Sequence, residues 1–142
     1  MSDEPNVILE EPETPVVNIG SNDSILLSIK NQLGIFINEN GFDNELIMCI
    51  NSIFSTLYQI GVGPENGYTI SDATALWTDY LTNETALDMV KSYMYLKVRL
   101  LFDPPTNSSY LNAVTEMCKE YEWRMSVFGH ANLKDDENEE TP

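Results

Sequence analysis

Two long stretches of helical hydrophobic spacing are separated by a Pro-Pro step, and this arrangement restricts the possible folds more than any other feature. The first stretch covers residues 84–102, where apolar residues recur at intervals of three and four, as on one face of an α-helix. The second covers residues 108–127 and has the same spacing. Asp103-Pro104-Pro105 lies between them, and proline both lacks an amide hydrogen and disfavours a helical residue before it. We therefore predict an antiparallel helical hairpin.

The two hairpin helices differ in how apolar they are. We expect Thr82 or Asn83 to cap the first helix. Its predicted core series is Leu87, Val90, Met94, Val98 and Leu101. A further set makes it apolar almost all round: Tyr93, Tyr95, Leu96, Leu100 and Phe102. Such a helix is either central in its domain or buried at an assembly interface. The second helix, which we expect Gly129 to end, has the core series Leu111, Val114, Cys118, Tyr121, Met125 and Phe128.

Shorter helical patterns precede the hairpin. We predict one helix from about Asn22 to Leu33, with Ser24 among its possible caps and Gly34 at its end. We expect Asp43 to cap a second helix, which stops at GVGP, residues 61–64. Its core series is Leu46, Ile50, Ile53, Leu57 and Ile60, widened by Ile47, Phe54 and Tyr58. A short helical piece over residues 72–80 carries Trp77, either a core residue or a partner-binding anchor.

These patterns predict an all-α fold, a small helical bundle of about four to five helices with extended acidic N- and C-terminal arms. The 142 residues divide into an acidic arm over 1–21, a helical domain over 22–130 and an acidic tail over 131–142. The formal charge is −16, with six acidic and no basic residues in 1–23. So acidic a chain is a poor candidate for gripping nucleic-acid phosphates or an anionic membrane. Its first residues resemble neither a secretory signal nor a transit peptide.

Residues with catalytic or metal-binding chemistry do not form a recognisable set. His130 is the one histidine, and Cys49 and Cys118 each lie in an apolar helical pattern without a partner near in sequence. We find no phosphate-binding glycine loop and no nucleophile motif. We therefore expect no enzyme activity, no metal and no cofactor, and we interpret the chain as an interaction module. Lys91, Lys97 and Arg99 do not share one helix face, so we expect ordinary solvated charges and ion pairs there.

Several segments taken together resemble the small helical head–tail connector, or adaptor, proteins of tailed bacteriophages. They are FDNELI at 42–47, YQIGVGPE at 58–65, Trp77 with Asp79-Tyr80, VKSYMYLKVR at 90–99, FDPP at 102–105 and EYEWR at 120–124. The combination of Asp-Pro-Pro with Glu-x-Glu-Trp-Arg is fairly specific, although each piece alone is weak. The resemblance covers about residues 24–128, and the two acidic ends have no counterpart in it.

The resemblance implies a virion structural protein without catalytic residues, made in the host cytoplasm and located in the neck. It implies a homo-oligomeric ring that lies below the portal protein and links the capsid to the tail. Double-stranded DNA would pass through this ring without being gripped. The ring would also contact a downstream neck or tail-completion protein, and it would bind no membrane. In such connectors the C-terminal segment commonly docks into the portal. The portal-binding candidates are Trp123, Arg124, Val127, Phe128, His130 and Leu133. The candidates for contacts between subunits are Trp77, Tyr93, Tyr95, Lys97 and Arg99.

The high negative charge leaves an alternative from another class. An acidic DNA mimic can inhibit a nucleic-acid enzyme when its carboxylates are spaced like phosphates across one folded face. Here most of the excess negative charge lies in the two ends of the chain. Charge placement on the folded surface therefore discriminates between the two hypotheses.

Overall fold

The computed structural model describes the backbone of residues 23–140 and the side chains of residues 23–128. This part of the chain contains five helices and no strands, and the all-α prediction is confirmed. The helices are α1 (Ile25–Leu33), α2 (Asp43–Gln59), α3 (Trp77–Tyr80), α4 (Glu84–Phe102) and α5 (Ser108–Glu140). An isolated antiparallel bridge joins Ser24 to Leu76. The predicted N-terminal arm lies outside the described residues.

Polar side chains cap three of the helices. Ser24 Oγ accepts a hydrogen bond from the Leu27 amide at 3.2 Å, and Asn83 Oδ1 accepts one from the Ala86 amide at 2.9 Å. Asn107 Oδ1 accepts from the Tyr110 amide at 3.0 Å at the start of α5. These bonds satisfy amide groups that have no partner within the first helical turn. Because such signals are local, the sequence predicted both ends of α4 correctly.

The helix α4 is the centre of the fold, since α1, α2 and α5 all pack against it. Its buried residues are Ala86, Leu87, Val90, Tyr93, Met94 and Val98. Packing within one subunit therefore accounts for much of its apolar surface. The predicted core position Leu101 is wrong: the side chain is 55% exposed, because no neighbouring element covers the last turn of α4 on that side.

The helices α4 and α5 form the predicted antiparallel hairpin. Val114, Cys118 and Met125 of the predicted seam are buried, and Leu111, Tyr121 and Phe128 are half-buried. Tyr93 of α4 contacts Glu122 of α5 across the seam. The apolar residues of this seam recur at intervals of three and four, so one face of α5 stays in contact with α4 over several turns. The opposite face of α5 is left to solvent.

Two boundary predictions and one burial prediction need correction. The helix α5 does not end at Gly129 but continues to Glu140, because one glycine within a helix costs only about 1 kcal/mol relative to alanine. The helical piece predicted over 72–80 is reduced to α3, since Asp72 Oδ1 instead accepts from the Thr74 amide at 2.9 Å and holds a turn. Tyr58, expected on the buried stripe of α2, is 51% exposed because it lies at the edge of that stripe.

A buried lysine joins α1 to the start of α2. The Lys30 side chain is fully buried, and its Nζ donates to the Ile37 carbonyl at 3.0 Å. The same nitrogen lies 2.9 Å from Asp43 Oδ1, so Asp43 pairs with a cation rather than capping α2, whose cap residue is Phe42. A buried ammonium group needs such partners because burial removes its hydration. The sequence analysis did not identify this ion pair.

Candidate assembly surfaces

The described structure places two of the five candidate subunit-contact residues inside the subunit. Trp77 is 2% exposed and Tyr93 is fully buried. The Trp77 indole Nε1 donates to Ser28 Oγ at 2.9 Å, which fixes α3 against α1. Trp77 therefore lies in the core, which is one of the two roles expected for it, and its burial gives no support to a role as a partner-binding anchor. Neither Trp77 nor Tyr93 is accessible to a neighbouring copy, because both contribute to the core of one subunit.

Tyr93 and Lys97 meet a carboxylate of α5. The Tyr93 hydroxyl donates to Glu122 Oε2 at 2.6 Å, and Lys97 Nζ lies 3.6 Å from the same oxygen. Burial and the nearby Glu122 carboxylate raise the pKa of Tyr93, so the phenol stays protonated and keeps donating. This cluster holds α4 to α5 and makes Lys97 part of an intramolecular ion pair.

Tyr95 and Arg99 form a separate cluster near the hairpin corner. Arg99 Nε donates to the Asp103 carbonyl at 3.2 Å, and Nη1 lies 3.5 Å from the Tyr95 hydroxyl. Tyr110, 51% exposed at the start of α5, lies close enough to influence the guanidinium electrostatically. The structure therefore brings Tyr95 and Arg99 together and separates them from the Tyr93–Lys97 cluster.

An open groove of about 500 Å³ lies between α1, α4 and α5, and we call it the α1–α4–α5 groove. The residues that shape it are Gln32, Trp77, Lys91, Tyr95, Met117 and Tyr121. Lys91 Nζ lies 5.9 Å from the centroid of the Trp77 ring, which is cation–π geometry. A smaller depression of about 180 Å³ continues it along α5. The groove has no signature in the sequence, because its walls come from distant parts of the chain.

The candidate portal-binding residues lie on two adjacent faces of α5. Trp123 is 68% and Val127 is 53% exposed, one helical turn apart. Arg124 is exposed and pairs with Glu120, whereas Phe128 is half-buried on the side that faces α4. Positions 130 and 133 belong to the helical backbone of α5, but their side chains lie outside the described part. Of the six candidates, Trp123 and Val127 thus form an exposed apolar pair.

The described residues contain no group of three or more His, Cys, Asp and Glu side chains placed to hold a metal ion. Cys118 is buried and Cys49 half-buried, and burial raises the pKa of both thiols, which disfavours the reactive thiolate. Over the same residues, no helix combines the length and apolarity that a membrane crossing requires.

Comparison with known proteins identifies the family of this chain. A family model described as phage connector protein matches residues 25–131, which include α1 to α4 and most of α5. The chain belongs to the phage connector protein family. The resemblance noted in the sequence is thereby confirmed, and membership gives the chain a connector-type structural role in a bacteriophage. No curated protein and no solved structure matches the chain.

Proposed function

We propose that this phage connector protein forms a ring below the portal, joins the capsid to the tail and leaves a passage for double-stranded DNA. The observation that carries the proposal is the family match over residues 25–131, which includes α1 to α4 and most of α5. Ring assembly, portal binding and the neck location are the parts of the proposal that go beyond family membership.

The surfaces of α4 and α5 support ring assembly. A subunit of a cyclic ring needs two different contact patches, one for each neighbour. The Tyr95–Arg99 cluster with exposed Tyr110 offers one patch at the hairpin corner. We assign it to the contact between subunits, while Lys97 contributes indirectly by its ion pair with Glu122.

The length of α5 supports portal contact at its C-terminal end. With Tyr93 opposite Glu122, the antiparallel register aligns the beginning of α4 with a position near residue 131 of α5. At 1.5 Å per residue, the 33 residues of α5 extend about 50 Å, so its last turns continue beyond the start of α4. We assign the portal-facing surface to the exposed side chains of Trp123 and Val127. We include Arg124 and Phe128, which lie beside them, and the helix positions of His130 and Leu133.

The charge distribution supports passage of DNA rather than DNA mimicry. In the described side chains, four carboxylates lie in ion pairs, those of Asp43, Glu116, Glu120 and Glu122. These are four of the thirteen Asp and Glu side chains in the described part, and most of the net negative charge lies instead in residues 1–23 and 131–142. A DNA mimic needs carboxylates spaced like phosphates across one folded face, so this placement does not favour the inhibitor alternative. A net charge of −16 nevertheless repels DNA from the ring, which lets the duplex slide.

Quantitative mass spectrometry of purified phage particles tests the proposal. We expect copies of this chain and of the portal protein in a ratio near one, as for two stacked rings of matching symmetry. Abundance in infected cells together with absence from particles would contradict the proposal and favour an intracellular inhibitor or assembly factor.

A further inference from the structure

We propose that the acidic N-terminal segment, residues 1–22, packs into the α1–α4–α5 groove of its own chain, with Val7-Ile8-Leu9 on the aromatic walls and the following carboxylates beside Lys91. This inference does not depend on the proposed connector function. It rests on where the segment joins the domain, on what the groove exposes, and on the complementary sequence of the segment.

The chain enters the helical domain at the edge of this groove. The Trp77 amide donates to the Asp23 carbonyl at 3.0 Å, and the Ile25 amide donates to the Ala75 carbonyl at 3.0 Å. The ring of Trp77 lines the groove, and so do Ser28 and Gln32 on the first two turns of α1. The segment is therefore attached next to the groove, at the end of one of its walls.

The groove exposes apolar surface and one cation without a carboxylate. Tyr95 and Tyr121 are half-buried there, and Met117 is 45% exposed. Neither Asp nor Glu is among the described residues that line it, and within the described part of the chain Lys91 has no carboxylate at ion-pair distance. Half-buried Lys91 can thus gain from an anionic ligand more than a fully solvated lysine can.

The N-terminal segment has the complementary composition. Residues 1–22 contain five acidic residues and neither lysine nor arginine. The apolar triplet Val7-Ile8-Leu9 is followed directly by Glu10-Glu11, so apolar contact and charge occur within five residues. Pro12 and Pro15 restrict the chain that connects the triplet to the domain, which lowers the entropy lost on docking.

The connection between the apolar triplet and the helical domain is short, which favours docking of the N-terminal segment in the groove of its own chain over docking in a neighbouring copy. Fourteen residues lead from Leu9 to Asp23, and an extended chain of that length reaches about 46 Å. The groove begins at the attachment point, so this reach exceeds what docking needs. A short tether also gives an effective concentration in the millimolar range, far above that of a second free subunit.

Site-specific photo-cross-linking of the full chain tests the proposal. A photoreactive amino acid replaces Ile8, and mass spectrometry locates the cross-linked residues in a mixture of isotopically light and heavy chains. We expect cross-links within one chain to Tyr95, Met117 or Tyr121. Cross-links between light and heavy chains, or cross-links confined to other surfaces, or none at all, would each overturn the proposal.

Charge variants test the role of Lys91. Lys91→Glu should reduce the groove cross-links about fivefold, the effect of an ion pair worth about 1 kcal/mol. The matched control Lys119→Glu makes the same charge change on the exposed face of α5 and should leave them unchanged. Lys91→Gln serves as the milder variant, with circular dichroism as the check of folding. Equal losses in the Lys91 and Lys119 variants would contradict the proposed contact.

Discussion

The two hairpin helices both have an apolar face but differ in how much of it the rest of the subunit covers. α4 has neighbours on several sides, and its large apolar residues such as Tyr93 and Met94 are buried within the subunit. α5 packs mainly against α4 and leaves Met117, Trp123 and Val127 exposed. An apolar helix surface therefore indicates a partner only where the rest of the subunit does not cover it. This difference directs the search for portal contacts to α5.

The largest expected effect compares one buried residue of α4 with one exposed residue of α5. Met94→Ala should lower the free energy of unfolding by about 2–5 kcal/mol, because truncating a fully buried side chain leaves a cavity. Val127→Ala, at a 53% exposed position of α5 outside the α1–α4–α5 groove, should change it by less than about 0.5 kcal/mol. Urea denaturation of the two variants measures both values. A similar loss in both would mean that α5 is covered as fully as α4.

The next effect concerns binding through α5. Trp123→Ala should weaken binding to purified portal protein by about 30-fold, the loss expected when an aromatic anchor worth about 2 kcal/mol is removed. Its thermal unfolding should stay nearly unchanged, since the side chain is 68% exposed. Phe36→Ala removes an aromatic that is 79% exposed between α1 and α2; this control should bind normally. Unfolding of the Trp123 variant would instead assign Trp123 to the core.

A smaller effect concerns the polar contact between the two helices. Tyr93→Phe should cost about 1.5–3 kcal/mol at most, because it removes one hydrogen bond to a charged acceptor. The pKa of Tyr93 is raised in the folded state, so the unfolded chain loses this proton first as pH rises. Wild-type stability should therefore fall above about pH 10, the ordinary tyrosine pKa.

Denaturation as a function of pH measures this contribution. Tyr93→Phe should make the alkaline loss of stability shallower but not abolish it, because burial also raises the pKa of Tyr80. Parallel alkaline curves for the variant and the wild type would rule out the proton-linked role of Tyr93.

The corner between the helices should contribute about 1 kcal/mol. Replacing Pro104 and Pro105 by Ala gives the unfolded chain more conformational freedom and should lower stability by about that amount for the pair. A calorimetric melting temperature that does not change would show that the corner is not held rigidly.

The smallest effect tests the continuation of α5 through Gly129. Gly129→Ala should raise helical content and stabilise the helix by less than about 1 kcal/mol, because alanine has the higher helix propensity. Circular dichroism measures the change. A loss of helicity would indicate a left-handed glycine that ends the helix, as the sequence pattern suggested.

Prediction from sequence succeeded for elements whose signals are local. The bounds of α4 follow from Asn83 at its start and from the proline pair after its end. The glycine that ends α1 adopts a φ of 80°, which glycine reaches without steric strain. Prediction failed at Gly129, where a local stop signal was too weak to outweigh the helix formers that follow it.

The candidate surfaces were less predictable than the helices. Hydrophobic spacing alone did not distinguish Tyr93, which is fully buried, from Tyr95, which borders the groove, because both lie on one apolar helix. The burial of Lys30 also had no sequence signature, since its partner Asp43 follows an intervening loop.

The sequence by itself determined the helical class, the candidate caps of α1 and α4, the hairpin corner and the resemblance to phage connectors, because these depend on residues near one another in the chain. Only the tertiary structure decided which apolar residues stay exposed, that Trp77 is a core residue, and that α1, α4 and α5 enclose a groove beside Lys91. These properties depend on contacts between residues far apart in sequence, such as Ser28 and Trp77. Helical periodicity defines the faces of a helix, but tertiary packing decides which faces are covered.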